Sequence, residues 1–227
     1  MTTSDNVVLA EGSFVVGKWN KQEYRVLRLL GEGANGKVYL VQKGRHLFAM
    51  KIGYDAFDLQ SEVNVLKALD KRIRKNNPYL HEVDDFHLHG SEYPFYVMKY
   101  VQGKRIHDFL KQKGGDWFYI VGKNLLTRLV ELHRAGWQFC DLKMENVIVE
   151  EYGQTELVDY GGVTRHGNSV KQFTEIYDRG YWRKGSRIAD ETYDLFSFAV
   201  LCIQLIVPGR QIADASVVLP QNRSVSY

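Results

Sequence analysis

The run Gly31-Glu32-Gly33-Ala34-Asn35-Gly36-Lys37-Val38 joins residues 24–30 to residues 37–41, two short stretches rich in aromatic and β-branched side chains. Gly31, Gly33 and Gly36 let the backbone reverse tightly, and no helical periodicity follows. The run therefore reads as a hairpin between two strands, not as the strand-to-helix turn of a dinucleotide-binding unit. A third strand-like stretch covers residues 47–52, set off by Gly44. Over residues 58–70 the period changes, with Leu59, Val63 and Leu66 at helical spacing and Asp58 as the predicted N-cap. Residues 84–90 and 95–100 read as two more strands, so residues 1–100 are expected to form a five-stranded antiparallel sheet carrying one helix.

The second half is helical. Phe118, Val121, Leu125, Leu129 and Leu132 form a stripe along residues 117–135, stopped by Gly136. Short strands are expected at 147–149 and 156–158, and an apolar helix at 191–207. A sheet-rich lobe over residues 1–100 and a mainly helical lobe over 101–227 give an α+β, two-lobed architecture with a cleft between them. With 30 basic and 27 acidic side chains the formal charge is +3, so composition calls for neither a nucleic acid nor a membrane partner. Cys140 and Cys202 form no CxxC pair, which argues against a disulfide scaffold or a zinc site and for a reducing, cytoplasmic compartment. Residues 1–10 lack the basic and apolar regions of a secretion signal. The apolar stretch 195–207, 13 residues long, falls short of a bilayer span, which takes about 20. An anchor would have to lie beyond Tyr227.

Three sets of residues carry chemistry. The glycine hairpin can fold its backbone N–H groups over a triphosphate, although a ligand-free hairpin would look the same. Lys51, at the centre of the strand 47–52, and Glu62, between Leu59 and Val63, both stand on apolar faces where an unpaired charge is costly. Paired, they would satisfy one another and leave Lys51 to hold the α- and β-phosphates. Side chains of these types are more often simply solvated; it is their placement that argues otherwise. In Phe139-Cys140-Asp141-Leu142-Lys143-Met144-Glu145-Asn146, a carboxylate, a cation and an amide stand at the spacing of a phosphoryl-transfer loop. Asp141 would orient the attacking hydroxyl, Lys143 meet the transferring group and Asn146 offer an oxygen to a metal. Asp159, in Asp159-Tyr160-Gly161, would supply a second metal ligand for Mg²⁺ or Mn²⁺.

In this order the motifs resemble those of a Hanks-type (eukaryotic-like) protein kinase domain, from about residue 17 to residue 205. Within that family Gly17-Lys18-Trp19-Asn20, the glycine hairpin, Ser61-Glu62-Val63-Asn64-Val65-Leu66-Lys67 and Tyr177-Asp178-Arg179-Gly180-Tyr181-Trp182 resemble most the bacterial YabT-like serine/threonine kinases. The resemblance implies ATP as co-substrate, with Gly31, Gly33, Gly36 and Lys51 at its phosphates. Met98 would then be the gatekeeper, and the backbone of Lys99 and Val101 would bond adenine between Val38, Ala49 and Ile148. It also implies Asp141 as base, Asn146 and Asp159 as metal ligands, Asp194 as a tether below the catalytic loop, and Thr174 as a bridge between the base and Lys143. Thr174 and Lys143 imply serine or threonine acceptors on protein substrates, the chain itself included.

The chain departs from that pattern in several places. Phe139-Cys140-Asp141 stands for the usual His-Arg-Asp, so the arginine that answers a phosphorylated loop is missing, and activity without loop phosphorylation is expected. Thr164, Ser169 and Thr174 remain candidate autophosphorylation targets. Arg179-Gly180-Tyr181 replaces Ala-Pro-Glu, removing a glutamate anchor. Only 20 residues follow the last apolar helix, so the C-terminal lobe is expected to be truncated, leaving residues 195–207 to be covered by dimerisation or at a cost in stability. A nucleotide-binding scaffold without turnover and a kinase-fold phosphotransferase for small molecules remain open as alternatives. So does a nucleic acid or acidic lipid contact at Lys71, Arg72, Arg74 and Lys75, a run that equally suits a solvated helix end. His87 and His89 are read as sharing a strand face but lack a third zinc ligand.

Overall fold

Strand β2 (Glu23–Gly33) returns on β3 (Gly36–Lys43) with Gly33 opposite Gly36. Gly36 has a φ of 148°, and a Cβ there would stand 2.1 Å from the carbonyl oxygen of Ile52, so the turn excludes a side chain. The computed structural model describes residues 7–33, 35–73 and 78–206. Its contacts divide the chain into two units, Met1–Tyr100 and Val101–Tyr227.

In the first unit β1 (Phe14–Val16), β4 (His46–Gly53), β5 (Leu80–Leu88) and β6 (Ser91–Lys99) complete a sheet of six strands in the order β1-β2-β3-β4-β6-β5. Every neighbouring pair is antiparallel. The sixth strand, not among the five expected, is β1: with Val15 alone buried among its three residues, it shows too little alternation to be read from sequence. Strand β5 begins at Leu80 and ends before His89, whose φ of 50° belongs to the following turn. His87 and His89 thus do not share a strand face.

Helix α1 (Ala56–Arg72) starts earlier than its apolar stripe suggests. Asp55, not Asp58, is the N-cap: its carboxylate accepts from the N–H of Phe57 at 2.7 Å and of Asp58 at 3.0 Å. The first turn carries no core residue, Phe57 being exposed, so the burial pattern begins only at Leu59. The helix packs on one face of the sheet, where Val38 and Tyr96 flank Lys51 across the strands and Met98 lies opposite Ala49. The other face carries Tyr24, Val26, Tyr39, Val41, Met50, Ile52, Phe95 and Val97, covered by Val7 and Leu9. Tyr39 fastens that cover, its hydroxyl accepting from Leu9 N at 3.2 Å and donating to Val7 O at 3.3 Å.

The second unit contains β7 (Lys104–Arg105), α2 (Ile106–Lys113), α3 (Trp117–Arg134), β8 (Trp137–Gln138), β9 (Val147–Val149), β10 (Thr155–Leu157), β11 (Thr164–Arg165) and α4 (Glu191–Ile206). Helix α2 was not expected; its eight residues bury only Ile106 and Phe109, too little to set a period. Along α3, Val121, Leu125, Leu129 and Leu132 are buried and Phe118 is half-buried. Helix α4 buries Tyr193, Asp194, Ser197, Val200 and Leu201 but leaves Leu195 and Ile206 exposed. Among the described residues no helix is long and apolar enough to cross a membrane. Ala34, Arg74, Lys75 and the tail from Val207 onward, all of which entered the sequence reading, lie outside the described residues.

Because Asp55 caps the helix that carries Glu62, Asp55→Ala should lower stability by about 1 kcal/mol, read as a fall in the urea midpoint with an unchanged slope.

Candidate active site

Lys51 is buried at 4% exposure and Glu62 at 3%. The ammonium of Lys51 donates to both carboxylate oxygens of Glu62, at 2.7 and 2.8 Å. Tyr96, the cross-strand neighbour of Lys51, adds a third donor: its hydroxyl reaches Glu62 Oε2 at 2.8 Å. Sequence reading brought the charged pair together but missed Tyr96, since strand register decides which tyrosine reaches the helix.

The second constellation is built on the turn between β8 and β9. Asp194, on α4, is fully buried; Oδ2 accepts from Phe139 N and Oδ1 from Cys140 N, each at 2.8 Å. His133, near the end of α3, lies 2.8 Å from Oδ2 through Nε2. These bonds hold Cys140 at a φ of 58°, a left-handed conformation rare outside glycine and asparagine. Burial raises the Cys140 thiol well above its ordinary range, so it stays neutral.

The residue after this bend, Asp141, gathers three side chains. Its Oδ1 accepts from Thr174 Oγ1 at 3.0 Å, and its Oδ2 from Lys143 Nζ at 2.8 Å and from Asn146 Nδ2 at 2.9 Å. The same amide nitrogen donates to the Asp141 carbonyl at 2.9 Å, leaving the amide oxygen of Asn146 for other work. Burial raises the Asp141 carboxyl above its ordinary value, against the opposing pull of Lys143 and Thr174; the charge of Asp159 adds to the rise. Gly162 seals the back of the site: a Cβ there would stand 2.7 Å from Asp141 Cβ and 3.3 Å from Phe139 O. Sequence reading singled out Gly161 and missed Gly162, just as it missed His133.

Asp159 is exposed and has a φ of 63° at the start of a tight helical turn over Tyr160–Gly162. Asn146 is buried at 4% exposure, and a carboxylate and an amide oxygen are the donor types that suit a hard cation such as Mg²⁺. In the first unit Val38 is half-buried, and Ala49 and Met98 are buried on the face that carries Lys51; Lys99 is half-buried. In the second, Val101 is buried and Ile148 half-buried. Lys71 and Arg72 are exposed in the last turn of α1, where cations suit the helix dipole. Thr164 is corrected as an autophosphorylation candidate: it is 2% exposed and its hydroxyl donates to Gly162 O at 2.8 Å, whereas Ser169 is exposed.

Removing one member of a buried ion pair strands the other, so Glu62→Ala should cost about 3 kcal/mol. The double substitution Lys51→Met/Glu62→Leu should recover part of this. Chemical denaturation of the unsubstituted chain, Glu62→Ala and the double variant measures both.

A family model of the protein kinase domain matches residues 24–216. The serine/threonine-protein kinase YabT of Bacillus subtilis (strain 168) is 37% identical over 202 residues, covering 87% of this chain and 60% of that protein. The chain thus spans about three fifths of that relative's length. The serine/threonine-protein kinase ArnS of Sulfolobus acidocaldarius is 28% identical over 206 residues, covering 71% of this chain and 33% of that protein. In fold the chain is similar to the solved structure of vaccinia related kinase 3, with a TM-score of 0.67 at 17% identity, over 96% of this chain and 74% of that one. A match of this extent, on a chain that folds Lys51 onto Glu62 and gathers Lys143, Asn146 and Thr174 around Asp141, places it in the protein kinase domain family.

Proposed function

We propose that this chain transfers the γ-phosphoryl group of ATP to serine or threonine hydroxyls of protein substrates, itself included. The observation that carries this reading is the Asp141 carboxylate, which accepts from Lys143 and Asn146 on one oxygen and from Thr174 on the other. The acceptor hydroxyl oxygen would attack the γ-phosphorus as the bond to the β–γ bridging oxygen breaks. ADP leaves, and the hydroxyl proton passes to Asp141. Lys143 meets the charge on the transferring group, and Thr174 holds the carboxylate in the orientation that accepts the proton. Lys51, oriented by Glu62, would hold the α- and β-phosphates beneath the glycine turn at Gly31, Gly33 and Gly36. The adenine would take Val38, Ala49, Met98, Lys99, Val101 and Ile148 as its surroundings.

Asn146 and Asp159 would hold Mg²⁺ or Mn²⁺. The ion would neutralise charge on the phosphate oxygens. Two features favour a protein hydroxyl over a small-molecule acceptor. Lys143 and Thr174 both engage Asp141, as the resemblance to serine/threonine kinases implies, and the relatives are named as protein kinases.

Incubation with labelled ATP and Mg²⁺, followed by phosphoamino-acid analysis, should give phosphoserine or phosphothreonine. The label should fall at least a hundredfold in Asp141→Asn and in Lys51→Ala. ATP binding without label would favour the scaffold reading, and label on a small molecule alone the phosphotransferase reading.

The pH dependence has a definite sign. Only the ionised form of Asp141 accepts the proton, and its pKa is raised, so kcat/KM should fall on the acid side with a midpoint above the ordinary aspartate value. A pH–rate profile with its acid midpoint at or below that value would count against Asp141 as base.

A further inference from the structure

Asp178 and Arg179 are adjacent charged residues with 1% and 6% exposure, and the transfer chemistry derived above uses neither. Both are saturated with partners. Asp178 Oδ1 accepts from Gly180 N at 2.7 Å and Tyr181 N at 3.1 Å. Its Oδ2 accepts from Arg187 Nε at 2.6 Å and the Tyr193 hydroxyl at 2.9 Å. Arg179 spends all of its N–H groups: Nε on Ser186 O at 2.8 Å, Nη1 on Asp190 Oδ1 at 2.8 Å and on Thr192 Oγ1, and Nη2 on Asp190 Oδ2 at 2.7 Å and Ile188 O at 3.1 Å. Burial would raise the Asp190 carboxyl, but the bonds from Arg179 and Thr192 hold it at about 2, below its ordinary value.

These contacts fix one stretch of chain at several points. Arg187 also donates to Gln172 O at 2.8 Å, Ser197 Oγ to Tyr177 O at 2.8 Å, and Trp182 Nε1 to Ile176 O at 2.9 Å. Residues 172–182 are thereby held against the start of α4. The same helix, through Asp194, holds the backbone of Phe139 and Cys140. Thr174 closes the circuit by donating to Asp141. Phe173 and Ile176, flanking Thr174, are left exposed as apolar contacts.

We propose that Asp178 and Arg179 are positioning residues: they set the segment 172–182 so that Thr174 stays on Asp141 and Phe173 and Ile176 face the protein acceptor. The inference rests on the kinase reading. A planar guanidinium with every donor engaged cannot be replaced by an ammonium with three donors on a flexible stem, even though the charge is kept.

The test compares Arg179→Lys and Asp190→Asn with the unsubstituted chain. Asp190 is the more exposed member, so its variant keeps the test open if Arg179→Lys does not fold. In either variant KM for a protein acceptor should rise and kcat fall, together lowering kcat/KM roughly tenfold or more, while KM for ATP stays within about twofold. Amide hydrogen exchange should quicken at 172–182 and not in α3. An unchanged kcat/KM for the acceptor, a parallel rise in KM for ATP, or a loss that tracks the unfolded fraction would overturn the proposal. If the unsubstituted chain transfers no phosphate, the kinase reading fails. The exchange rates then still decide whether the pair fixes the segment, and unchanged exchange at 172–182 would reject it.

Discussion

Asp194 has no solvent-exposed surface, and its carboxylate holds together the elements around Asp141. It takes the N–H groups of Phe139 and Cys140 and meets the ring of His133, so one buried charge fixes a bend of the chain and the end of α3. The bend is costly in itself. Cys140 occupies a left-handed conformation that a residue with a Cβ adopts at a penalty of about 1–2 kcal/mol, and its amide would be a buried orphan without the carboxylate. What the bend achieves is orientation, since the next side chain, Asp141, is delivered to Thr174, Lys143 and Asn146. The left-handed bend and the buried carboxylate therefore stand or fall together.

The same solution to buried charge recurs through the chain. Glu62 accepts from Lys51 and Tyr96, Asp178 from two backbone amides, Arg187 and Tyr193, and Arg179 donates to five acceptors. Pairs of this kind add little net stability over apolar replacements, because desolvation offsets most of the attraction. What they supply is direction: a saturated guanidinium or carboxylate tolerates one arrangement of its neighbours, and an apolar cluster tolerates many. The groups around Asp141 and Lys51 sit where the proposed chemistry needs side chains aimed; others fix turns elsewhere, as buried Asp84 does by accepting from the amides of Trp19 and Asn20.

That division explains what could be read from the sequence. Asp141, Lys143 and Asn146 were legible because a loop of six residues fixes their spacing, and Lys51 and Glu62 because a charge on an apolar face must have a partner. Thr174 was reached only through resemblance, as nothing local ties it to Asp141. His133 and Asp194 are 61 positions apart, and Arg179 and Asp190 meet through a turn of irregular chain. No periodicity encodes such meetings. The glycine hairpin, the α1 stripe and the α3 stripe were visible as patterns. Strand β1 and helix α2 bury too few residues to make one, and the cap at Asp55 precedes the apolar stripe that would have announced it.

Cys140 links these observations to control. A family arginine at this position would offer a guanidinium to an anion placed on the segment before Thr174. Here the position holds a thiol that burial keeps neutral and that offers an anion no cationic group. The guanidinium groups that order the segment come from Arg179 and Arg187, and their partners, Asp190 and Asp178, are carboxylates within the chain. Carboxylates fixed in the sequence are present from synthesis, whereas a phosphate must be added. On this argument the segment's order is a property of the fold and does not wait on a phosphate.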